Sequence, residues 1–526
     1  MPESVTQHTF VGRLLNVTPA WMGSLAIGAV GVIAFVVLAT ANAGGYRTGT
    51  ADQAFYIPAV YRALDAHAFP RDSALIDAQA RLMVIDELTA YVMQATGISL
   101  ELLYLLGYLL SLLLVWVALG LISDRIYRNR WGALALAAAI TLRYRVPKTS
   151  ANSFEPYFHP RMLGFAFGAV AIAAILRRAP YTAGALVAVS LVIHPSTGLW
   201  FAVLVGVAIV YTEVRSRPFA VAVSALAATI GAWMTIAGPL PAVRTTMDPL
   251  WLQAVSTKDS LFPTMWPLWA WVANFAFLGV LLWAHRLRRE HASREDTGLV
   301  LGAIALVVMF VVTLPFVTAG VSLFVQLQVS RVFWLVAFLA TVYLIAAVTD
   351  SPRSRSASAG IPLIATVACL LLTLSVVRGA YVMRIEHPER PLFAVHLPQS
   401  PWQDAMDWLK RLPIGTHVLA DPGHAWKYGT SVRVSAGRDV LLEDVKDSSI
   451  AIYSREVGHR VVDRTSALGD FSTLDAQRAR TLARQYDLNY LVTDKDLPLP
   501  LVYSNSQFRI YALDDSSSTL ARQVRR

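Results

Sequence analysis

The chain has 526 residues, of which 55% are hydrophobic and only 15% are charged, and its mean hydropathy is +0.49. This mean hydropathy is well above that of water-soluble globular proteins and indicates an integral membrane protein. A soluble enzyme and a disordered chain are therefore excluded. The net charge of +10 is first explained by membrane topology rather than by nucleic-acid binding, and the single cysteine, Cys369, excludes an internal disulfide and a cysteine-based metal cage.

Apolar runs predict a polytopic α-helical membrane protein with about eleven transmembrane helices, because about 20 apolar residues cross a bilayer core. The predicted spans are roughly 20–40, 99–122, 131–146, 161–176, 181–193, 198–212, 219–237, 266–284, 298–318, 331–348 and 360–380. The sequence at 39–43 would suit signal-peptide cleavage, but the apolar run before it is long for a signal peptide. We therefore expect the first span to be retained.

Arginine-rich connections predict which ends of the spans face the cytoplasm. Five short connections contain Arg125, Arg128, Arg130, Arg177, Arg178, Arg215, Arg217, Arg286, Arg288, Arg289, Arg294, Arg353 and Arg355. The alternate connections are longer in total and carry far fewer basic residues. With an odd number of spans, the loop 41–98 and everything after about residue 381 then lie on the outer side of the cytoplasmic (inner) membrane.

The composition changes near residue 384, where charges and prolines return. We expect a transmembrane domain over 1–383, with its long first outer loop at 41–98, and a small soluble α/β domain over 384–526 on the periplasmic face. The predicted elements of this tail are a helix at 402–412, strands at 417–420 and 432–434, a helix at 474–486, and strands at 490–493 and 508–513. An aromatic-rich turn at 421–428 either touches a substrate or closes the small domain.

The first outer loop places an acid just after the end of the first span. Its glycine-rich start lets the backbone turn sharply and brings Asp52, followed by Gln53 and Tyr56, to the membrane surface. There Asp52 would meet a lipid-borne substrate, or it would only cap a helix that begins at Gln53. The later acids of this loop are expected on solvated helix faces, and these are Asp65, Asp72, Asp77, Asp86 and Glu87.

The second outer loop, 143–161, gathers a carboxylate, an imidazole and several cations. A phosphate-linked leaving group needs cations and an acceptor needs a base, so Glu155, His159 and Arg161 are candidates for group transfer from a lipid phosphate. Two structural alternatives remain open at this point. Glu155 would pair with Arg161 or Lys148 and hold the loop together, and His159 would simply start the helix that follows Pro160.

Two further polar residues stand at the ends of apolar runs. His194 joins two short runs and would line the same cavity, or would lie hydrated in a tight turn. Arg331 opens a long apolar span, where an arginine is costly unless it binds an anion or extends its head into water. A lipid phosphate would satisfy Arg331.

This layout resembles the GT-C class of polytopic glycosyltransferases: a first span followed at once by a long outer loop with an early acid, short alternating spans and an outer α/β tail. The resemblance implies a donor sugar on a polyprenyl-phosphate carrier, with Asp52 acting at an acceptor that the sequence does not identify. It implies a second acid, matched here by Glu155, and an arginine near the donor phosphate, matched by Arg331. A divalent cation, Mg²⁺ or Mn²⁺, would bind Asp52 and Glu155, assisted by His159.

The expected assignment is therefore catalysis by Asp52, Glu155 and His159. Substrate binding is expected at Gln53, Tyr56, Arg161, His194 and Arg331. Two other functions stay open: a transporter or flippase of a lipid-linked or anionic substrate, and a non-enzymatic membrane scaffold. Transporters place binding residues near the midplane on broken helices, often in repeated halves, whereas these candidates stand at the outer ends of spans. The expected partners are the lipid bilayer, the polyprenyl-phosphate-linked sugar donor and the acceptor. No nucleic-acid partner is expected.

Overall fold

The computed structural model describes residues 25–213, 245–351 and 362–524, together with four single positions between 214 and 244. In the described chain before the tail, the helices are α1 Leu25–Ala43, α2 Gln53–Leu64, α3 Ser73–Ala80, α4 Ile85–Thr96, α5 Leu100–Ile126, α6 Arg130–Thr141, α7 Pro160–Leu176, α8 Pro180–Ile193, α9 Pro195–Thr212, α10 Pro249–Val255, α11 Leu268–Leu287, α12 Arg294–Thr318, α13 Ser322–Gln326, α14 Val332–Asp350 and α15 Leu363–Tyr381. Apart from single positions, the predicted span 219–237 lies outside the described residues.

Among the residues that the structure describes, six helical segments are long and apolar enough to cross a membrane. They are α5, α9, α11, α12, the segment Ser322–Asp350 that contains α14, and the segment Leu363–Glu386 that contains α15. Four other apolar helices are shorter: Gly28–Ala43 within α1, and α6, α7 and α8. Helices therefore stand at the positions of ten predicted spans, and six of them meet the length of a full crossing.

The breaks between the short apolar helices come from local capping signals. Helices α7, α8 and α9 each begin with proline, whose fixed φ and missing N–H suit the first helical position. His159 and His194 are the N-cap residues of α7 and α9. Because α8 runs back between them, both histidines come to the same end of the helices, with ring centroids 6.2 Å apart.

Glycines allow the apolar helices to approach closely. A Cβ atom on Gly302 of α12 would lie 2.4 Å from the carbonyl oxygen of Leu204 in α9, closer than real Cβ contacts. On α9 itself, Gly206 has open space where its Cβ would be. Small residues at helix crossings are a typical means of packing helices within a membrane.

The tail forms a small sheet with helices around it. Three two-residue strands precede it in the chain: β1 Tyr46–Arg47, β2 Arg145–Val146 and β3 Ala151–Asn152. The strands of the tail are β4 Phe393–Ala394, β5 His417–Leu419, β6 Asp439–Val440, β7 Tyr490–Thr493, β8 Leu501–Ser504 and β9 Arg509–Ala512, and its helices are α16 Pro401–Lys410, α17 His424–Lys427, α18 Val432–Ser435, α19 Asp444–Ile450, α20 Arg455–Leu468, α21 Ala476–Tyr486 and α22 Asp515–Val524. The sheet order is β6-β5-β7-β9-β8; β5 pairs parallel with β6 and β7, and β9 pairs antiparallel with β7 and β8.

One predicted strand of the tail is wrong. The β-branched run 432–434 is helical in α18, because the side chain of Ser431 accepts a hydrogen bond from the Arg433 backbone and caps a helical turn. The helix predicted at 474–486 is present as α21, and Asp475 caps it by accepting from the Arg478 backbone.

The tail pairs directly with the loop after α1. The two-residue strand β1, Tyr46–Arg47, lies parallel to β4, and the Tyr46 amide donates to the carbonyl of Leu392 at 2.8 Å. The sharp turn before β1 uses the left-handed φ values of Gly44 and Gly45, +91° and +80°. Only glycine adopts such angles readily, so the predicted glycine-rich turn is confirmed and it delivers the chain to the tail.

A buried ion cluster also joins this loop to the tail. Asp72 is fully buried, although it was predicted to be solvated, because Arg433 Nε approaches its carboxylate at 2.7 Å and Arg460 binds the second oxygen. Hydrogen bonds run in both directions across this contact: the Val440 amide donates to the Asp72 carboxylate, and the Asp72 amide donates to the Asp439 carboxylate. Charge pairing at this contact outweighs the usual preference of an aspartate for water.

Asp86 is a second acid that the sequence placed in water and the structure buries. It is 2% exposed in the first turn of α4, and burial raises its carboxyl pKa well above the usual value. By contrast, the carboxylate of Asp77 remains about half exposed and pairs with Arg62. The polar loop 41–98 therefore folds into packed structure rather than lying fully hydrated.

Candidate functional site

A cavity of about 1420 Å³ lies where the first loop, the loop before α7, the start of α14 and the tail meet. Seven of the eight sequence-predicted site residues line it: Asp52, Tyr56, Glu155, His159, Arg161, His194 and Arg331. These residues come from parts of the chain far apart in sequence. The fold thus collects them at one end of the apolar helices.

Asp52 binds two groups in this cavity instead of capping α2. The helix begins at Gln53, but the Asp52 side chain makes no capping hydrogen bond. Its Oδ1 lies 2.8 Å from Lys446 Nζ, and its Oδ2 lies 3.3 Å from His159 Nε2. Burial alone would raise the pKa of Asp52, but Lys446 and then His159 outweigh it and hold the pKa well below its usual range. Asp52 is therefore an ionised carboxylate.

His159 both caps α7 and faces Asp52. Its Nδ1 accepts from the Arg161 backbone amide at 3.1 Å, so the proton of the neutral ring sits on Nε2 and points to Asp52. Burial and then the charge of Arg161 lower the pKa of His159 to about 4, although Asp52 opposes them. The rings of Tyr56 and Tyr157 pack on the imidazole, with centroids at 5.3 and 5.9 Å. The ring is thus fixed as a neutral donor.

Glu155 pairs with Arg161, which is one of the two structural pairings considered from the sequence. Asn152 donates to both carboxylate oxygens at 3.1 Å, and Arg161 binds one of them at 2.9 Å. Burial raises the pKa of Glu155, while Arg161 and Arg143 oppose the rise. Lys148, the other partner considered from sequence, pairs instead with Asp259 at 2.6 Å. Glu155 therefore orients Arg161 and keeps a buried cation in the cavity wall.

Arg331 enters the cavity at the N-terminal end of α14. Its Nε is buried and has no hydrogen-bond partner among the described residues. An unpaired buried guanidinium N–H is costly, and the positive end of a long helix lies beside it. The Tyr453 hydroxyl lies near Arg331 but accepts a hydrogen bond from the Gln328 amide at 3.2 Å. This corner of the cavity is therefore suited to an anion.

His194 and Gln53 contribute in different ways. His194 Nδ1 accepts from Thr197 in the first turn of α9, and burial lowers the pKa of its ring well below the usual value, so it presents a neutral imidazole at the cavity. Gln53 does not line the cavity. Its amide accepts from Gly49 at 2.7 Å and donates to Phe158 at 3.1 Å, which ties the two loops together. Gln53 therefore positions Asp52 and His159 rather than touching a ligand.

Sequence reasoning missed the contribution of the tail. Lys446, on α19, reaches Asp52 and lies near the rings of Phe55 and Trp426, 5.8 and 5.5 Å from their centroids. Trp426 comes from the predicted aromatic turn, is 64% exposed and lines the cavity. A lysine in a polar domain carries no sequence signal, since only the folded contact reveals its role.

The cavity is strongly cationic. Among the described residues, ten arginines and lysines line it, against the three carboxylates Asp52, Glu155 and Asp259. Desolvation and then the charge of Lys446 lower the pKa of Lys258 to about 8, a sign of mutual repulsion between the cations. Such a cavity attracts anionic ligands.

The donor set does not fit a divalent cation in this arrangement. The two proposed ligands, Asp52 and Glu155, are already neutralised by Lys446 and by Arg161. Within the described part of the chain, no group of three His, Cys, Asp or Glu side chains is placed to hold a metal ion. In this arrangement Lys446 and Arg161 balance the charges of the two carboxylates.

Comparison with known proteins adds no family assignment: no protein-family model matches this chain, and no curated protein matches it.

Proposed function

We propose that this protein is a membrane glycosyltransferase of the GT-C type, with about eleven spans, which moves a sugar from a polyprenyl-phosphate carrier to an acceptor. The reaction would take place on the outer face of the cytoplasmic membrane. One observation carries the proposal: an ionised acid, Asp52, and an arginine with a buried Nε that has no partner among the described residues, Arg331, line the same cationic cavity beside apolar helices.

The phosphate of the donor would bind at Arg331. Guanidinium groups recognise phosphate oxygens through paired N–H donors, and the N-terminus of α14 adds favourable potential. Arg161 stands in the same wall, held by Glu155, with its guanidinium carbon 5.8 Å from the ring centroid of Trp334. Both arginines would stabilise the negative charge that develops on the phosphate as it leaves.

In the transfer step, an acceptor hydroxyl attacks the anomeric carbon of the donor sugar. The bond from that carbon to the phosphate oxygen breaks, the phosphate leaves with the electron pair, and the hydroxyl proton passes to Asp52. The Asp52 side chain is 31% exposed, which leaves room for this hydroxyl beside Lys446 and His159. A carboxylate of low pKa is a weak base, so proton transfer fits late, once the attacking oxygen has become acidic.

The test follows radiolabelled sugar as it leaves a panel of polyprenyl-phosphate donors in membranes that contain the wild-type chain or Asp52→Asn. We expect transfer in the wild type and a loss of about 10²-fold or more in the variant, the usual effect of removing a general base. Asp259→Asn is the matched control, because Asp259 lines the same cavity but pairs with Lys148 near the surface. Repeating the assay with EDTA tests whether a divalent cation takes part.

Two outcomes would count against the proposal. If the wild type leaves every donor of the panel intact, the transporter and scaffold interpretations take its place. If Asp52→Asn and Asp259→Asn behave alike at matched expression, Asp52 is not the base.

A further inference from the structure

Three arginines that the transfer step does not use line another part of the cavity: Arg47, Arg143 and Arg390. They stand on β1, just after α6, and just before β4. The pairing of β1 with β4 places Arg47 and Arg390 on neighbouring segments. The group shares no residue with the corner formed by Arg331 and Arg161.

The backbone of Arg47 and the side chain of Arg143 both bind the loop before α7. The Arg47 amide donates to the carbonyl of Pro156 at 2.8 Å, and Arg143 Nε donates to the carbonyl of Phe154 at 3.0 Å. Two of the three therefore hold the same loop before α7. Their positions are set by the fold rather than by any bound ligand.

The group lacks negative charge of its own. Arg143 lies 3.8 Å from Glu155, which Arg161 already binds more closely, and Arg390 pairs with Glu389, whose side chain is 64% exposed. Arg47 Nε is buried without a hydrogen-bond partner among the described residues. Burial, then Arg390 and Arg143, lower the pKa of Arg47 to about 10, which reports the repulsion that an anion would relieve.

We propose that Arg47, Arg143 and Arg390 form a second phosphate subsite and that the acceptor is itself a phosphate-bearing lipid. This inference rests on the proposed function, which assigns the donor phosphate to Arg331. Planar guanidinium groups bind phosphate oxygens in a bidentate manner, and Arg390 and Arg143 lie close enough to Arg47 to act on its charge. The cavity then holds two lipid phosphates at once, with the acid Asp52 in the same space.

The experiment measures how many molecules of farnesyl phosphate, a short polyprenyl phosphate, bind the purified full chain in detergent by calorimetry. We expect two sites in the wild type. Arg47→Gln and, independently, Arg390→Gln are each expected to weaken one site about tenfold or more and leave the other unchanged. Arg331→Gln is expected to weaken the complementary site. Arg145→Gln, which changes an exposed arginine of the same cavity, is the matched control and should retain both sites.

The outcomes separate this inference from the proposed function. A single wild-type site that Arg331→Gln removes would overturn the second subsite and leave the donor site standing. No binding at either site would overturn both. If excess inorganic phosphate displaces farnesyl phosphate from the Arg47 site, that site takes free phosphate and the lipid acceptor assignment fails; displacement by dihexanoyl phosphatidylglycerol but not by inorganic phosphate supports it.

Discussion

Replacing Asp72 by asparagine tests the contact that joins the first loop to the tail. Asp72 accepts from Arg433 Nε at 2.7 Å and from the Val440 amide at 3.1 Å, and Arg460 binds its other oxygen. Burial alone would raise the pKa of Asp72, but Arg433 and Arg460 outweigh it and hold the pKa far below its usual range. The asparagine variant keeps the size of the side chain and removes its charge, which leaves Arg460 without the carboxylate that it pairs with, whereas Arg433 still binds Asp447.

Breaking a buried ion pair by removing one partner costs about 3–5 kcal/mol, because the remaining charge stays buried. Every 1.4 kcal/mol is a factor of ten in an equilibrium constant, so the contact should open about 10²- to 10⁴-fold more often. The control is Asp77→Asn in the same loop. Asp77 binds Arg62 through two bonds of 2.8 and 2.9 Å, but its side chain is 52% exposed. An exposed pair contributes less than about 1 kcal/mol.

Hydrogen–deuterium exchange of the full chain, followed by mass spectrometry, measures this opening directly. The amides of β5 and β6 should exchange much faster in Asp72→Asn, since the Val440 amide donates to Asp72 itself. Asp77→Asn should change them less than about tenfold. Equal effects of the two variants, or unchanged exchange in Asp72→Asn, would refute the reasoning from burial.

Three further predictions follow from the site and the core. Lys446→Met removes the cation that lies 2.8 Å from Asp52, so the pKa of Asp52 should rise. The acid limb of the pH–rate profile for sugar transfer should then move to higher pH. An acid limb at the same pH as in the wild type would contradict the role of Lys446. Burial raises the pKa of Glu443 to about 7, so its folded form holds a proton that the unfolded chain releases near pH 4.5, and stability falls as pH rises through that window. Glu443→Gln should therefore raise thermal stability at pH 8 and not at pH 4, and an equal effect at both would exclude this linkage. Gly302→Ala should lower thermal stability because its Cβ would meet the Leu204 carbonyl, whereas Gly206→Ala should be neutral or stabilising; equal effects would argue against close packing of α9 and α12.

The sequence was most informative where charged or imidazole side chains stand next to apolar runs. Charged and imidazole side chains at the ends of apolar runs are costly, so Asp52, His159, His194 and Arg331 could be selected without a structure, and all four line one cavity. The helices at ten predicted spans were predictable for the same reason, because apolar length is a direct signal.

The sequence did not reveal functional or buried charges within polar segments. Lys446 and Asp72 lie in polar segments, where a charged residue gives no hint of burial, and each acquires its role from a partner more than 350 positions away. The strand predicted at 432–434 failed because a capping serine outweighed the β-branched side chains that follow it. Gln53 follows Asp52 directly, yet its amide is used up in holding two loops.

The bond between Asp52 and Lys446 also sets an order of events during synthesis. The ribosome makes a chain from its N-terminus, so Asp52 emerges 394 residues before the lysine that it binds. Until the tail has been translated and has folded onto β1, the acid has only His159 beside it and the cavity lacks one wall. A nascent chain that stops before Lys446 would carry the apolar helices without a finished site, which delays ligand binding until the tail has been made.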